Sequence, residues 1–218
     1  MNTKLLYIGT ALLLAVLFVV AVMLDSGGKG GGAPAPGRPV AGADPSLLVR
    51  PGSPTLGRAD AKVTLVEFLD PACETCATFY PEVKRLLAAN PERLRLVTRH
   101  VPFHPGSDAV VALLEAARLQ GKYWDALEAL LAGQAKWVVN HQALPEQALA
   151  VLAGAGLDAA RLKADSQRDD VRARVAQDLA DAKALKVVKT PEYFVNGKPL
   201  PTFGLEELRG MVDAALRK

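Results

Sequence analysis

Cys73 and Cys76, in the stretch DPACETCATF, are the only two cysteines of this chain. Two thiols separated by two residues allow three kinds of chemistry. A structural disulfide across so short a loop contributes little, because stabilisation by loop closure grows with loop length. A metal site would need further ligands, and His100 and His104, with three residues between them, supply suitable types for tetrahedral zinc. Yet the 23 residues from Cys76 to His100 exceed a finger-like spacing of about 12–15. Pro102 and Pro105 also place these histidines in loop rather than on one helical face.

The third reading is a redox couple. Between a strand and a helix, such a pair puts the first sulfur at a helix amino terminus, where backbone N–H groups and the helix dipole stabilise a thiolate. Cys73 would then be the attacking thiol. Cys76, one turn further in, would be buried and close enough to resolve a mixed disulfide. This reading explains most with fewest assumptions.

The elements that would position the pair are legible on both sides. Val63 to Leu69 (VTLVEFL) is rich in β-branched and aromatic residues and reads as a buried strand. Behind Cys73, Phe79, Val83, Leu86 and Leu87 recur at helical spacing. Pro81 lies inside that helix and predicts a kink, and Asn90-Pro91 ends it. Leu94 to Val101 alternates as a second strand. Residues 107 to about 187 are helical in composition, with Ser107 or Asp108 as the first cap and one long helix from Asp158 to Lys186. Tyr193-Phe194-Val195 is a strand, and Asn196-Gly197 predicts a tight hairpin to Lys198–Leu200. A last helix spans about Leu205 to Arg217. The order β, α, β, helical block, β, β, α describes an α/β core with an all-helical insertion at about 107–187.

Half of the chain is hydrophobic and 6% aromatic, which suits a helix-rich globular protein. The net charge of +3 over 218 residues is small, and no basic stripe interleaves with aromatics, so nucleic-acid binding has no support. Leu5 to Leu24 runs about 20 residues without a charge, enough for a helix to cross a bilayer. Residues 1–25 therefore read as a transmembrane signal anchor, with the bulk of the chain outside the cytoplasm. Residues 26–57, dense in Gly and Pro, read as a flexible tether, and the folded domain as 58–218.

With these residues in hand, the chain resembles the DsbA-type thiol–disulfide oxidoreductases, a thioredoxin fold with an inserted helical domain. VEFLDPACETC is similar to the family's strand-then-CxxC segment, and Pro81 matches the kink of its active-site helix. Thr190-Pro191 looks like its cis-proline loop, and FVNGKPL like the hairpin that follows. The resemblance implies a catalytic role for Glu67 as a buried acid beside Cys73 and Cys76, and substrate binding at Thr190 and Pro191. It implies protein thiol or disulfide substrates, no cofactor, and a membrane redox protein that resets the pair. It also implies a bacterial, single-pass inner-membrane protein whose catalytic domain lies in the periplasm or extracytoplasmic space. The chain departs from the strongly oxidising members at the potential-tuning dipeptide, Glu74-Thr75. Glu74 as a like charge disfavours the Cys73 thiolate. Two pKa units would make the couple roughly 60 mV more reducing, so a weaker oxidant is expected and the direction of exchange stays open. The alternative is a tethered chaperone or zinc-binding module using Cys73, Cys76, His100 and His104.

Overall fold

The seven residues Val63–Leu69 form the central strand of a five-stranded sheet, and all but Thr64 are buried. Such a continuous apolar run is what a strand covered on both faces requires. The computed structural model describes residues 42–218. The first elements are a short helix α1 (Pro45–Leu48) and an edge strand β1 (Thr55–Leu56), then the central strand β2 (Val63–Leu69). Helix α2 (Glu74–Ala89) crosses over to β3 (Leu94–His100), which runs parallel to β2 from Val63↔Leu94 to Leu69↔His100. After a further stretch of chain come β6 (Glu192–Val195), β7 (Lys198–Pro199) and α8 (Leu205–Arg217). β6 pairs antiparallel with β2, and β7 with β6, giving the order β1-β3-β2-β6-β7.

Alternation along β2 divides the core. Val63 and Leu65 face Phe79, Val83, Leu86 and Leu87 of α2 and Leu208, Val212 and Leu216 of α8. Val66 and Phe68 face the opposite layer with Leu48, Ala182 and Val187. Asn196 and Gly197 both adopt positive φ, at 47° and 80°, as the hairpin turn demands. The Asn196 side chain also accepts the Thr64 N–H at 2.8 Å.

Between β3 and β6 lie α3 (Ser107–Leu119), α4 (Tyr123–Ala132), a small hairpin of β4 (Val138–Val139) and β5 (Gln142–Ala143), α5 (Pro145–Gly154), α6 (Ala159–Asp165) and α7 (Asp169–Ala184). Three sequence expectations change here. The long helix expected from Asp158 is two helices. Asp158 does cap α6, but Ser166 turns its hydroxyl back to the Lys163 carbonyl, and Arg168 is extended (ψ 145°) ahead of α7. The segment also includes a hairpin, so it is not purely helical. Finally, the cap of α3 is Gly106 at φ 78°, because the Ser107 hydroxyl is drawn to Asp70 instead.

Residues 42–57, expected to belong to the tether, are built into the fold. Asp44 caps α1 through the Ser46 N–H, Leu48 is buried, and the Pro54 carbonyl accepts the Thr98 N–H. Arg50 pairs with Asp181 at 2.6 Å, and β1 joins the sheet edge. Gly and Pro density was misleading because the few apolar and charged residues among them find partners far along the chain. The proposed anchor, residues 1–25, lies outside the described residues. Among those described, no helix is long and apolar enough to cross a membrane.

Candidate active site

The carboxyl end of β2 delivers Asp70, Pro71 and Ala72 to the start of α2, and Cys73 is that helix's N-cap (φ −76°, ψ 117°). Its sulfur does what a capping oxygen does: Sγ accepts the Cys76 N–H at 3.4 Å. Both cysteines are free thiols, with Cys73 6% exposed and Cys76 fully covered. Across the site, the Cys73 thiol meets the Thr190 carbonyl at 3.3 Å. Thr190-Pro191 is a cis peptide, and Pro191 has no N–H to present at this surface.

The two sulfurs are electrostatically unequal. Cys73 is pulled down to about 5, first by the hydrogen bond from the Cys76 thiol, with the Thr190 side chain and the backbone N–H groups of Cys76 and Thr75 adding to it against partial burial. Burial pushes Cys76 well above the ordinary thiol value, and the neighbouring Cys73 and Glu67 charges push the same way. One sulfur is therefore a thiolate at neutral pH and the other a thiol, the asymmetry that ordered thiol exchange needs.

Glu67, on the same face of β2 as Val63 and Leu65, is fully buried. Burial raises it to about 7, opposed by the Tyr193 hydrogen bond to Oε1 at 2.9 Å and assisted by the Cys73 charge. Its Oε2 has no hydrogen-bond partner among the described residues. A carboxyl group so placed can give or take a proton near neutrality.

The remaining expectations separate. Thr75 contributes its backbone N–H toward Cys73. Glu74, the first residue of α2, has its side chain 53% exposed and places Oε1 3.1 Å from His141 Nδ1. The groups that act most strongly on Cys73 are Cys76, Thr190 and the backbone N–H groups of Cys76 and Thr75. The four-ligand zinc arrangement is not formed either. His100 is buried, with Nε2 2.8 Å from the Tyr123 hydroxyl and Nδ1 facing Glu115 and Asp178. His104 Nδ1 lies 2.7 Å from Asp70.

Asp70 itself escaped the sequence reading. Fully buried, it accepts the N–H groups of Ala72, Phe103 and His104, the Ser107 hydroxyl and the His104 ring. It thereby fixes the turn that carries the cysteines against the loop after β3. Its place before Pro71, two residues ahead of a turn N–H, was the available signal. Gln134, whose amide donates to the Pro71 carbonyl at 2.9 Å, gave none.

Comparison with known proteins agrees with this geometry. The thioredoxin family model matches residues 50–214. A thioredoxin-like oxidoreductase of Silicibacter pomeroyi is 33% identical, with a TM-score of 0.70 over 81% of this chain and 99% of that one. BdbD of Bacillus subtilis shares the fold at 22% identity, with a TM-score of 0.67 over 77% of this chain and 94% of its own. Among curated proteins, an Na+/H+ antiporter NhaA of Herminiimonas arsenicoxydans is 34% identical over 174 residues. That match takes in 78% of this chain and 26% of the antiporter, so the chain spans about a quarter of the curated relatives' length. The chain belongs to the thioredoxin family.

Proposed function

We propose that this chain is a membrane-tethered, extracytoplasmic exchanger of protein disulfides that works in the oxidising direction through Cys73 and Cys76. The observation that carries the reading is the seat of Cys73: a helix N-cap, with Cys76 buried behind it and the Thr190 carbonyl opposite. In the oxidised state a substrate thiolate attacks Cys73 Sγ and the Cys73–Cys76 bond breaks. Cys76 leaves with the electron pair and takes a proton, for which Glu67 is the nearby donor. A second substrate thiolate then attacks the substrate sulfur of the mixed disulfide and expels Cys73 as the stabilised thiolate. The substrate has lost two electrons, now held by the cysteine pair. A membrane redox protein accepting both would reset it.

Stabilising the reduced form makes such a couple a stronger oxidant, which favours this direction over the reductase reading. Glu74 directs its carboxylate to His141, at 3.1 Å. Thr190 and Pro191 form the edge beside which a substrate backbone would lie, with the Thr190 N–H and C=O available to it. The tether rests on Leu5 to Leu24, and the extracytoplasmic side on the same segment.

The test is transfer. Oxidised full-length chain, mixed with a reduced two-cysteine peptide, should convert one peptide to its disulfide per chain, whereas no transfer would overturn the proposal. Glu67 gives a separate check in a Cys73→Ser/Cys76→Ser background, free of thiol titration. Its folded pKa of about 7 lies above the ordinary 4.5. Between those values the folded chain holds a proton that the unfolded chain has released, so stability is full below about 4.5 and falls as pH rises to about 7. Denaturant unfolding at pH 4.5 and pH 8 should show a loss of roughly 3 kcal/mol, absent after Glu67→Gln. An equal pH dependence in both proteins would show that Glu67 ionises freely.

A further inference from the structure

We propose that Glu74, His104 and His141 form a binding site for a borderline divalent cation such as zinc, set beside the cysteine pair. One ligand atom from each of the three lies within 4.8 Å of the others. A tetrahedral zinc held by nitrogen and oxygen at about 2.0–2.2 Å needs its ligands roughly 3.3 Å apart. His141 Nδ1 and Glu74 Oε1 already stand at 3.1 Å. These two side chains are 78% and 53% exposed, so they can make the remaining adjustment without disturbing the core. Two imidazoles and one carboxylate suit zinc and its neighbours rather than calcium or magnesium, which prefer all-oxygen shells.

The third ligand is prepared from behind. Asp70 already accepts from three backbone N–H groups and the Ser107 hydroxyl, so it is a carboxylate with no proton to donate. The 2.7 Å contact therefore puts the His104 proton on Nδ1 and leaves Nε2 as a lone-pair donor. A buried carboxylate holding a histidine's far nitrogen is the usual arrangement behind a metal-bound imidazole, and it fixes the ring's tautomer and orientation.

The second histidine occupies a position no packing argument explains. Asn140 and His141 form the tip of the β4–β5 hairpin with φ of 50° and 60°. Turns of this kind favour glycine at the second of the two places. An imidazole there accepts local backbone strain, which persists where something else determines the residue. Its ring stacks toward that of His104, with centroids 6.4 Å apart. Three protein ligands and an open side to solvent describe a site with a free coordination position. Because Glu74 follows Cys73 directly, a cation here would replace a negative neighbour of the redox pair with a positive one.

The site is tested apart from the redox reading, in full-length chain carrying Cys73→Ser and Cys76→Ser so that no thiolate can bind metal. Titration calorimetry with Zn2+ at pH 7.5 should find one site per chain. His141→Asn, which keeps a residue tolerant of positive φ, and Glu74→Gln should each weaken it by tenfold or more. Both residues are exposed, so both variants should fold. Absence of zinc uptake by the serine background, or unchanged affinity in His141→Asn, would overturn the proposal.

Discussion

Replacing Cys76 with serine should turn the protein into a covalent trap. Incubated with a disulfide-bonded protein, Cys76→Ser should accumulate a one-to-one adduct through Cys73 that dithiothreitol releases, and the parent should not. The cause is geometric. Cys73 keeps its helix-terminal seat and the Cys76 backbone N–H, so attack on a substrate disulfide still forms the mixed species. Only the buried thiol that would displace it is gone. Well-oriented intramolecular groups act at effective molarities of about 10⁵ M or more, so release should slow by at least about a thousandfold. Gel-shift and mass analysis would read the adduct. Its absence, or an equal yield from Cys73→Ser, would mean that Cys73 is not the attacking sulfur.

The second large effect lies away from the cysteines. Arg99 of β3 is fully buried. It donates to Asp178 at 2.8 Å, to Asp181 at 2.6 Å, and to the Leu47 and Leu48 carbonyls of α1. Its guanidinium also lies over the Phe68 ring at 5.7 Å. Removing one member of a buried ion pair costs about 3–5 kcal/mol, because the partner stays buried and uncompensated. Arg99→Ala leaves Asp178 without a cation, holding only the His100 N–H at 2.8 Å, and leaves Asp181 only the Gln177 amide and the partly exposed Arg50. Its unfolding free energy in denaturant should fall by about that amount. Since Arg99 also anchors α1, proteolysis within residues 42–56 should quicken. A loss under about 1 kcal/mol would show that Arg50, Gln177 and the His100 N–H hold this corner without Arg99.

These two sites differ in how they could be read from the sequence, and the difference is one of range. The strand, the cysteine pair and the following helix are contiguous, so period, capping position and Pro81 speak within some 25 residues. Asn196-Gly197 likewise declares its turn locally. Glu67 is placed by the family resemblance and not by its own neighbours, which would equally allow an acid pointing to solvent; Tyr193, its register partner on β6, is what holds it inside. Nothing local announces that Asp70 will bind a loop more than thirty residues on, that Arg50 will find Asp181, or that His141 will meet Glu74. His100 and His104 show the opposite error. Their spacing invited a joint role with the cysteines, but period 2 in β3 buries His100 beside Tyr123, while His104 follows the loop to Asp70. Gly and Pro density hid α1 and β1 because composition does not register the few side chains that dock.

The most direct measurement is the reduction potential of the Cys73–Cys76 couple. The full-length chain would be equilibrated with glutathione in the presence of a chelator, and its free thiols counted by mass-tagging. A seat that holds Cys73 as a thiolate predicts a value more oxidising than about −200 mV, toward the roughly −120 mV of strong oxidants. A value of about −230 to −270 mV, in the range of reductases, or failure of the two thiols to form a reversible disulfide, would contradict it.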